Sequence, residues 1–409
     1  MSLRAVSSQS GLAIHGGPPV RTHPFAPWPQ FSAEEIEAAA AVLRSGKVNY
    51  WTGENGPQFE QEFAAQIGCR RAVAVANGTL ALELALYALG IGPGDEVIVP
   101  SRTFVATASC ILMRGGTPVF ADVERDSGTL TAESVRPLIT GRTRAIIPVH
   151  LAGWPCDMDP LLALAREHQL RVIEDCAQAH GAFYKGRPVG ALGDAAAFSF
   201  CQDKIISTGG EGGMFVTSDE AVWERAWSFK DHGKNWQTAG RGSNLTGYRW
   251  VHDCPGTNWR MTEMQSAIGR VLLHKVSERV AQRQKNATVL SRYLSCIPAL
   301  RLAVPPPELS HAYYKYYAFA CRERLREGWN RDRLLRAIAA EGIPCAVGSC
   351  SEIYCERAFA EGIRPPVRHA VARELGESSL MFLVHPTLSE EDMLDVCRAV
   401  EKVMEAAAL

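Results

Sequence analysis

The chain has 409 residues, enough for a large core and a smaller lobe. Hydrophobic residues make up 46%, charged residues 21%, and the net charge is −1, the balance of an ordinary soluble globular protein with no basic field for nucleic acid or an acidic membrane. No run of about 18 apolar residues predicts a transmembrane helix, and MSLRAVSSQSGL lacks the apolar region of a secretory signal, so a cytoplasmic protein is expected.

In chain order, GGPPVRTHPFAPWPQ (16–30), rich in Pro and Gly, predicts an extended arm. SAEEIEAAAAVLRSG follows, with Ser32 as a cap, acidic residues in the first turn and Gly46 at the end, the pattern of a helix. NYWTGENGPQFEQEFAAQIG predicts a loop running into a second amphipathic helix. From about residue 70 the runs AVAVAN, EVIVPS, TPVFADV, RAIIPVHLAG, RVIEDCA, AAAFSFC and GMFVTSD predict strands, with helix-like segments such as TLALELALYALG and DPLLALAREHQL between them. Such alternation implies an α/β fold with a mostly parallel sheet covered on both faces. Asn77, Ser101, His150 and Asp175 stand at strand ends, on the edge where open α/β sheets bind ligands. TEMQSAIGRVLLHKVSERVAQRQKNATVLSRYL then predicts a long helical stretch leading out of this domain. The remainder mixes YYKYYAFAC with DRLLRAIAAEG and EEDMLDVCRAVEKVMEA and reads as a smaller α+β lobe. The expected organisation is an arm over 1–30, a large domain over 31–285 and a small C-terminal domain over 286–409. The twelve cysteines include no CxxC pair, and Cys345, Cys350 and Cys355, five residues apart, fit no zinc motif; free thiols and no metal are expected.

Three pieces carry chemistry. In FSFCQDKIISTGGEGGMF, Lys204 follows an apolar strand and precedes a glycine-rich turn. It is either a solvated surface charge or a partly buried amine able to form an imine with an aldehyde. In RVIEDCAQAHG, Asp175 ends a buried strand and needs a partner, either a backbone N–H of the next helix or a protonated ring nitrogen, as pyridoxal phosphate chemistry requires. Gln178, three residues on, is placed to reach the same ligand, whereas His180 is assigned no role. In AVAVANGTLALELAL, Gly78 and Thr79 open a helix whose N–H groups attract phosphate. Thr79 is otherwise a plain helix N-terminal residue, and Ser199 is either a second phosphate donor or a core serine.

With NYWTG, NGTLAL, PSRTFVAT, IPVHLAGWPCDMD, EDCAQAHGA, FSFCQDKIISTGGEGG and GTNWRMTEMQSAIG, the chain resembles the DegT/DnrJ/EryC1/StrS family of pyridoxal-phosphate-dependent sugar aminotransferases over nearly its whole length. The resemblance implies the aspartate-aminotransferase (type I) fold with pyridoxal 5'-phosphate held as an imine on Lys204. It makes Asp175 the partner of the ring nitrogen, Gln178 the contact on the ring-hydroxyl side and Phe104 the aromatic on the ring face. Gly78, Thr79 and Ser199 form the phosphate cup, and Asn258 reaches the phosphate from the neighbouring subunit, so a homodimer with shared sites is implied. STGGEGG carries one more glycine than the family's usual TTGEGG. In this family a loop such as 232–256 helps to form the sugar-nucleotide site. Tyr313, Tyr314, Tyr316 and Tyr317 are substrate contacts or simply strand formers.

The implied reaction moves an amino group from glutamate or glutamine to a keto-sugar, foremost a nucleotide-linked keto-hexose in amino-sugar, polysaccharide or antibiotic biosynthesis. A cyclitol ketone is an alternative substrate. Sugar dehydratases of the same fold carry histidine in place of the lysine, so Lys204 favours transamination. A non-catalytic sugar-nucleotide-binding protein would not need Lys204, Asp175 and Gln178 together. A nicotinamide-binding protein is excluded, because no G-x-G-x-x-G follows a strand and opens a helix.

Overall fold

Seven short apolar runs pair into one sheet in the computed structural model, which describes residues 11–239 and 251–409. The strands are β1 (Arg71–Val75), β2 (Glu96–Pro100), β3 (Thr117–Ala121), β4 (Thr143–Ile146), β5 (Arg171–Asp175), β6 (Ala195–Ser199) and β7 (Gly213–Thr217), in the order β1-β7-β6-β5-β4-β2-β3. From β3 across to β6 neighbours are parallel; β7 is antiparallel to both β6 and β1. Alternate side chains leave opposite faces. Ile98, Ile146, Val172, Phe198 and Met214 join one apolar cluster with Phe59, Phe63 and Leu161. Val97, Val99, Ile173, Ala197 and Phe215 join another with Leu82, Ile111, Trp223 and Trp227. A sheet buried on both faces accounts for the near-continuous apolar runs.

The helices α1 (Ala33–Ser45), α2 (Asn55–Ile67), α3 (Gly78–Ala88) and α4 (Ala106–Met113) start and stop where capping chemistry allows. The Ser32 N–H donates to Glu35 Oε2 at 2.6 Å, and Gly46 closes α1 with φ 68°. The fully buried Glu263 accepts from the N–H groups of Asn55 (2.7 Å) and Gly56 (2.8 Å), so a carboxylate satisfies the otherwise open N-terminus of α2. The long helical stretch consists of two helices, α5 (Glu263–Leu273) and α6 (Val276–Leu294). The break falls at His274–Lys275, where Lys275 Nζ is held by Glu34 (2.7 Å) and Glu35 (2.6 Å) of α1.

Helix α6 runs through position 285 and packs into a second core with α7 (Arg331–Ala340) and α8 (Glu390–Ala407). Its sheet is antiparallel, with β8 (Leu300–Leu302), β9 (Tyr316–Ala320), β10 (Cys345–Ala346) and β11 (Ser379–Phe382) in the order β8-β9-β11-β10. The N-terminal arm lies on this part: Arg21 pairs with Asp392 (2.8 Å) and Asp395 (2.9 Å) of α8. Among the described residues no helix is long and apolar enough to cross a membrane.

Candidate active site

The expected phosphate turn lies where β1 feeds α3. Asn77 caps this helix, its Oδ1 accepting from Leu80 N–H at 3.0 Å. That leaves the N–H groups of Gly78 and Thr79, and the Thr79 hydroxyl, without an acceptor among the described residues. Ser199, at the end of β6, completes the cradle; its Oγ accepts from Cys201 N–H at 3.3 Å and keeps its own proton to donate. A Cβ on Gly78 would sit 2.7 Å from Ser199 Cβ, so only glycine lets the two elements approach this closely. Unmet donors at the positive end of a helix suit a phosphate.

Asp175 ends β5 and is 5% exposed. It accepts from Ala177 N–H (3.1 Å) and from the Thr107 hydroxyl (2.8 Å), which lies 2.8 Å from Thr103 Oγ1. Burial pushes its carboxyl above the ordinary range, opposed by those two bonds and by the charge of Lys204. The backbone partner is therefore present, and the carboxylate retains acceptor capacity for a further N–H. Gln178 turns its carbonyl inward to Ala152 N–H (2.7 Å), leaving its amide N–H groups to donate. Ala152 has φ 55°, and its carbonyl accepts from Tyr314 N–H at 2.8 Å, so Gln178 and Tyr314 clamp a strained residue between them.

Lys204 is not a solvated surface lysine. Its side chain is 17% exposed, with Nζ 3.4 Å from both Asp203 Oδ1 and the Tyr314 hydroxyl, which itself donates to Asp203 Oδ2. Burial alone would raise the Asp203 carboxyl, but Lys204 and Tyr314 hold it below its usual value. Burial and Asp203 push the Tyr314 phenol well up, so it keeps its proton. Trp28, at the end of the arm, donates Nε1–H to the Lys204 carbonyl at 3.1 Å. Gly209 (φ 85°) and Gly210 (φ 123°) turn the chain back toward β7.

Phe104 precedes α4 and is 65% exposed, a free aromatic face three residues before Thr107. Asn258 is exposed, its Oδ1 accepting weakly from Arg260 N–H at 3.4 Å. Residues 240–250 of the 232–256 loop lie outside the described residues. His180 is packed against Phe198 and Phe200, neither ring nitrogen has a partner among the described residues, and burial with the Lys204 and Arg283 charges pushes it down to about 3. It is a neutral core ring. His150, Glu174 and Cys176 also converge, but Glu174 accepts from His150 Nε2 and from the N–H groups of Gly190, Leu192 and Gly193, while His150 Nδ1 accepts from Cys156 N–H. This is a polar lock between β5 and the 190–193 turn. Thr107, Asp203 and Trp28 escaped the sequence reading. Only Asp203 carried a signal, as an acid adjacent to the lysine.

A family model described as the DegT/DnrJ/EryC1/StrS aminotransferase family matches residues 29–401. The chain belongs to this family. As a member it is a pyridoxal-phosphate-dependent aminotransferase of fold type I. It is 38% identical to the GDP-perosamine synthase of Caulobacter vibrioides, over 85% of this chain and 89% of that one. It is 39% identical to a Streptoalloteichus tenebrarius protein provisionally named L-glutamine:3-amino-2,3-dideoxy-scyllo-inosose aminotransferase, over 82% of this chain and 79% of that one. The solved aminotransferase of Psychrobacter cryohalolentis is 48% identical with a TM-score of 0.91, covering 94% of this chain and 99% of that chain. The cradle at Gly78 and Thr79, the buried carboxylate and the sheltered lysine suit this family's cofactor on the donor chemistry alone.

Proposed function

We propose that this aminotransferase moves an amino group from glutamate or glutamine to a nucleotide-linked keto-hexose. The observation that carries the reading is the sheltered Lys204 amine, bracketed by Asp203 and Tyr314 on the sheet edge that also presents Asp175 and the Gly78–Thr79 cradle. Gly78, Thr79 and Ser199 would hold the cofactor phosphate, Asp175 the ring nitrogen, Gln178 the ring-hydroxyl side and Phe104 the ring face, with Lys204 as the covalent attachment. Asn258 would complete the phosphate site of the other subunit in a homodimer. When bound, pyridoxal phosphate supplies an electron sink for the carbon that loses its proton.

The protein's part is proton placement. Lys204 Nζ, as the free amine, takes the proton from the donor Cα and returns one when the ketone is aminated. The Tyr314 hydroxyl and Asp203 keep that amine in one position. Asp175 must stay ionised to hold a proton on its ligand, and the Ala177 and Thr107 bonds oppose part of the effect of its burial. Twelve free thiols support a reducing compartment, the cytoplasm.

The name of the Caulobacter relative supports a nucleotide-linked sugar, and that of the Streptoalloteichus relative supports a cyclitol ketone as the second reading. The test is the visible absorbance of the purified protein before and after L-glutamate, followed by both ketone classes. A cofactor band that bleaches with glutamate and recovers with a nucleotide keto-hexose supports the first reading; recovery with a cyclitol ketone alone selects the second. Lys204→Ala is expected to fold but to lose both the band and turnover, and full activity in that variant would sink the assignment.

A further inference from the structure

Lys204 is not the only amine on Tyr314. Its Nζ lies 4.9 Å from the ring centroid, and Lys315 Nζ lies 4.8 Å from the same centroid. Lys315 is half-buried and makes no hydrogen bond or ion pair among the described residues. We propose that Lys315 is a substrate-binding residue that holds a carboxylate of the donor amino acid beside Lys204. The inference rests on the aminotransferase reading of this site and adds to it a named donor contact.

The charge balance around Lys315 supports an anion. Facing it are Asp203, Lys204 and Arg283, with His385 and Arg279 close behind. Asp203 is the acid nearest Lys315, and its oxygens are engaged by Tyr314 and Lys204; further out, Asp392 beside His385 is paired with Arg21, Glu35 beside Arg279 is paired with Lys275, and Glu278 also faces Arg279. Arg283 is 2% exposed; its Nη1 donates to the carbonyls of Tyr313 (3.4 Å) and Tyr314 (3.1 Å), while its Nε and Nη2 find no acceptor among the described residues. His385, pushed down to about 4 mainly by burial, adds no charge at neutral pH. Sheltered cations in excess over acids are costly until an anion joins them. A donor amino acid brings its α-carboxylate on the very carbon whose proton Lys204 takes. The diphosphate of a nucleotide sugar is held away from its keto carbon by the sugar ring, and the cofactor phosphate has its own cradle at α3.

Burial, with Arg283 and Lys204, depresses Lys315 to about 8 against the pull of Asp203. It is an ammonium at neutral pH and loses its charge above about pH 8, so carboxylate affinity should fall there. The test uses the cofactor-loaded enzyme and succinate, a dicarboxylate with no amino group, titrated by calorimetry from pH 7 to 9.5. Lys315→Met is expected to weaken succinate binding roughly tenfold to a hundredfold, the worth of a charged hydrogen bond, and to raise half-saturation by L-glutamate similarly. It should abolish the alkaline loss of affinity while leaving cofactor absorbance and inorganic pyrophosphate binding unchanged. Lys315→Arg should retain most of the affinity. Succinate binding that is absent in the wild type, or unchanged in Lys315→Met, overturns the proposal; so does a loss of pyrophosphate rather than succinate affinity, which would assign Lys315 to a phosphate. Failure of L-glutamate to bleach the wild-type cofactor would instead count against the aminotransfer reading, because the succinate comparison needs no turnover.

Discussion

Replacing Gly78 by alanine sets two effects of similar size against each other in different measurements. The new Cβ would lie 2.7 Å from Ser199 Cβ and 3.2 Å from both its Cα and Oγ. Ser199 is held in β6, which pairs with β5 up to Ala197 and with β7 at Ser199 itself, opposite Gly213. The first turn of α3 must move out instead, at an overpacking cost of about 1–3 kcal/mol. Alanine also gains up to about 1 kcal/mol of helix propensity over glycine, which offsets part of that cost in the folded protein. Cofactor affinity has no such compensation, since the displaced turn carries the Gly78 and Thr79 N–H donors. Losing one charge-assisted hydrogen bond to the phosphate, about 1.5–3 kcal/mol, should weaken pyridoxal phosphate binding roughly 10- to 150-fold at about 1.4 kcal/mol per tenfold. The assay is an absorbance titration with pyridoxal phosphate and, in parallel, with pyridoxal, which lacks the phosphate and should be much less affected. Equal losses for both, or unchanged affinity for pyridoxal phosphate, would refute the placement of the phosphate at this turn.

Asp175→Asn should still take up cofactor but turn over roughly a hundredfold to a thousandfold more slowly, the range for removing one preorganised electrostatic partner; a rate near wild type would discard its role at the ring nitrogen. Glu263→Gln removes the charge that satisfies Asn55 and Gly56 N–H, and denaturant unfolding should register a loss of about 1.5–3 kcal/mol. Unchanged stability there would show that the N-terminus of α2 is satisfied by other means.

What could be read from the sequence was what depends on neighbours along the chain. The strands of the large sheet are apolar because both faces are covered, and their polar ends stand on the edge where open α/β sheets bind ligands. The turn at Gly78 and Thr79 follows from a strand, an asparagine cap and a helix in succession. Burial of Lys204 follows from the apolar run AAAFSF leading to it. The bonds that position these groups were hidden, because each joins distant segments. Thr107 meets Asp175 across 68 positions and Tyr314 meets Asp203 across 111. Trp28 meets Lys204 across 176 positions, on an arm held by Arg21 to α8 and by the stacking of Trp28 on His385.

The YYKYY run shows why alternation misleads near a site. Its spacing reads as a strand with faces alternating residue by residue, yet β9 begins only at Tyr316. Tyr313 sits at φ 46°, its N–H bonded to His311 Nδ1 at 2.8 Å and its ring stacked on His311 at 3.9 Å. A left-handed residue breaks the two-residue period, so the directions of Tyr314 and Lys315 no longer follow from their positions. Tyr314 is instead aimed by its N–H bond to Ala152, the residue that Gln178 clamps from its other side. Two amines then share one tyrosine ring because of a backbone conformation that strand propensity argues against. The two proposed substrate-facing amines therefore meet beside a left-handed residue, where local pattern is the weakest guide.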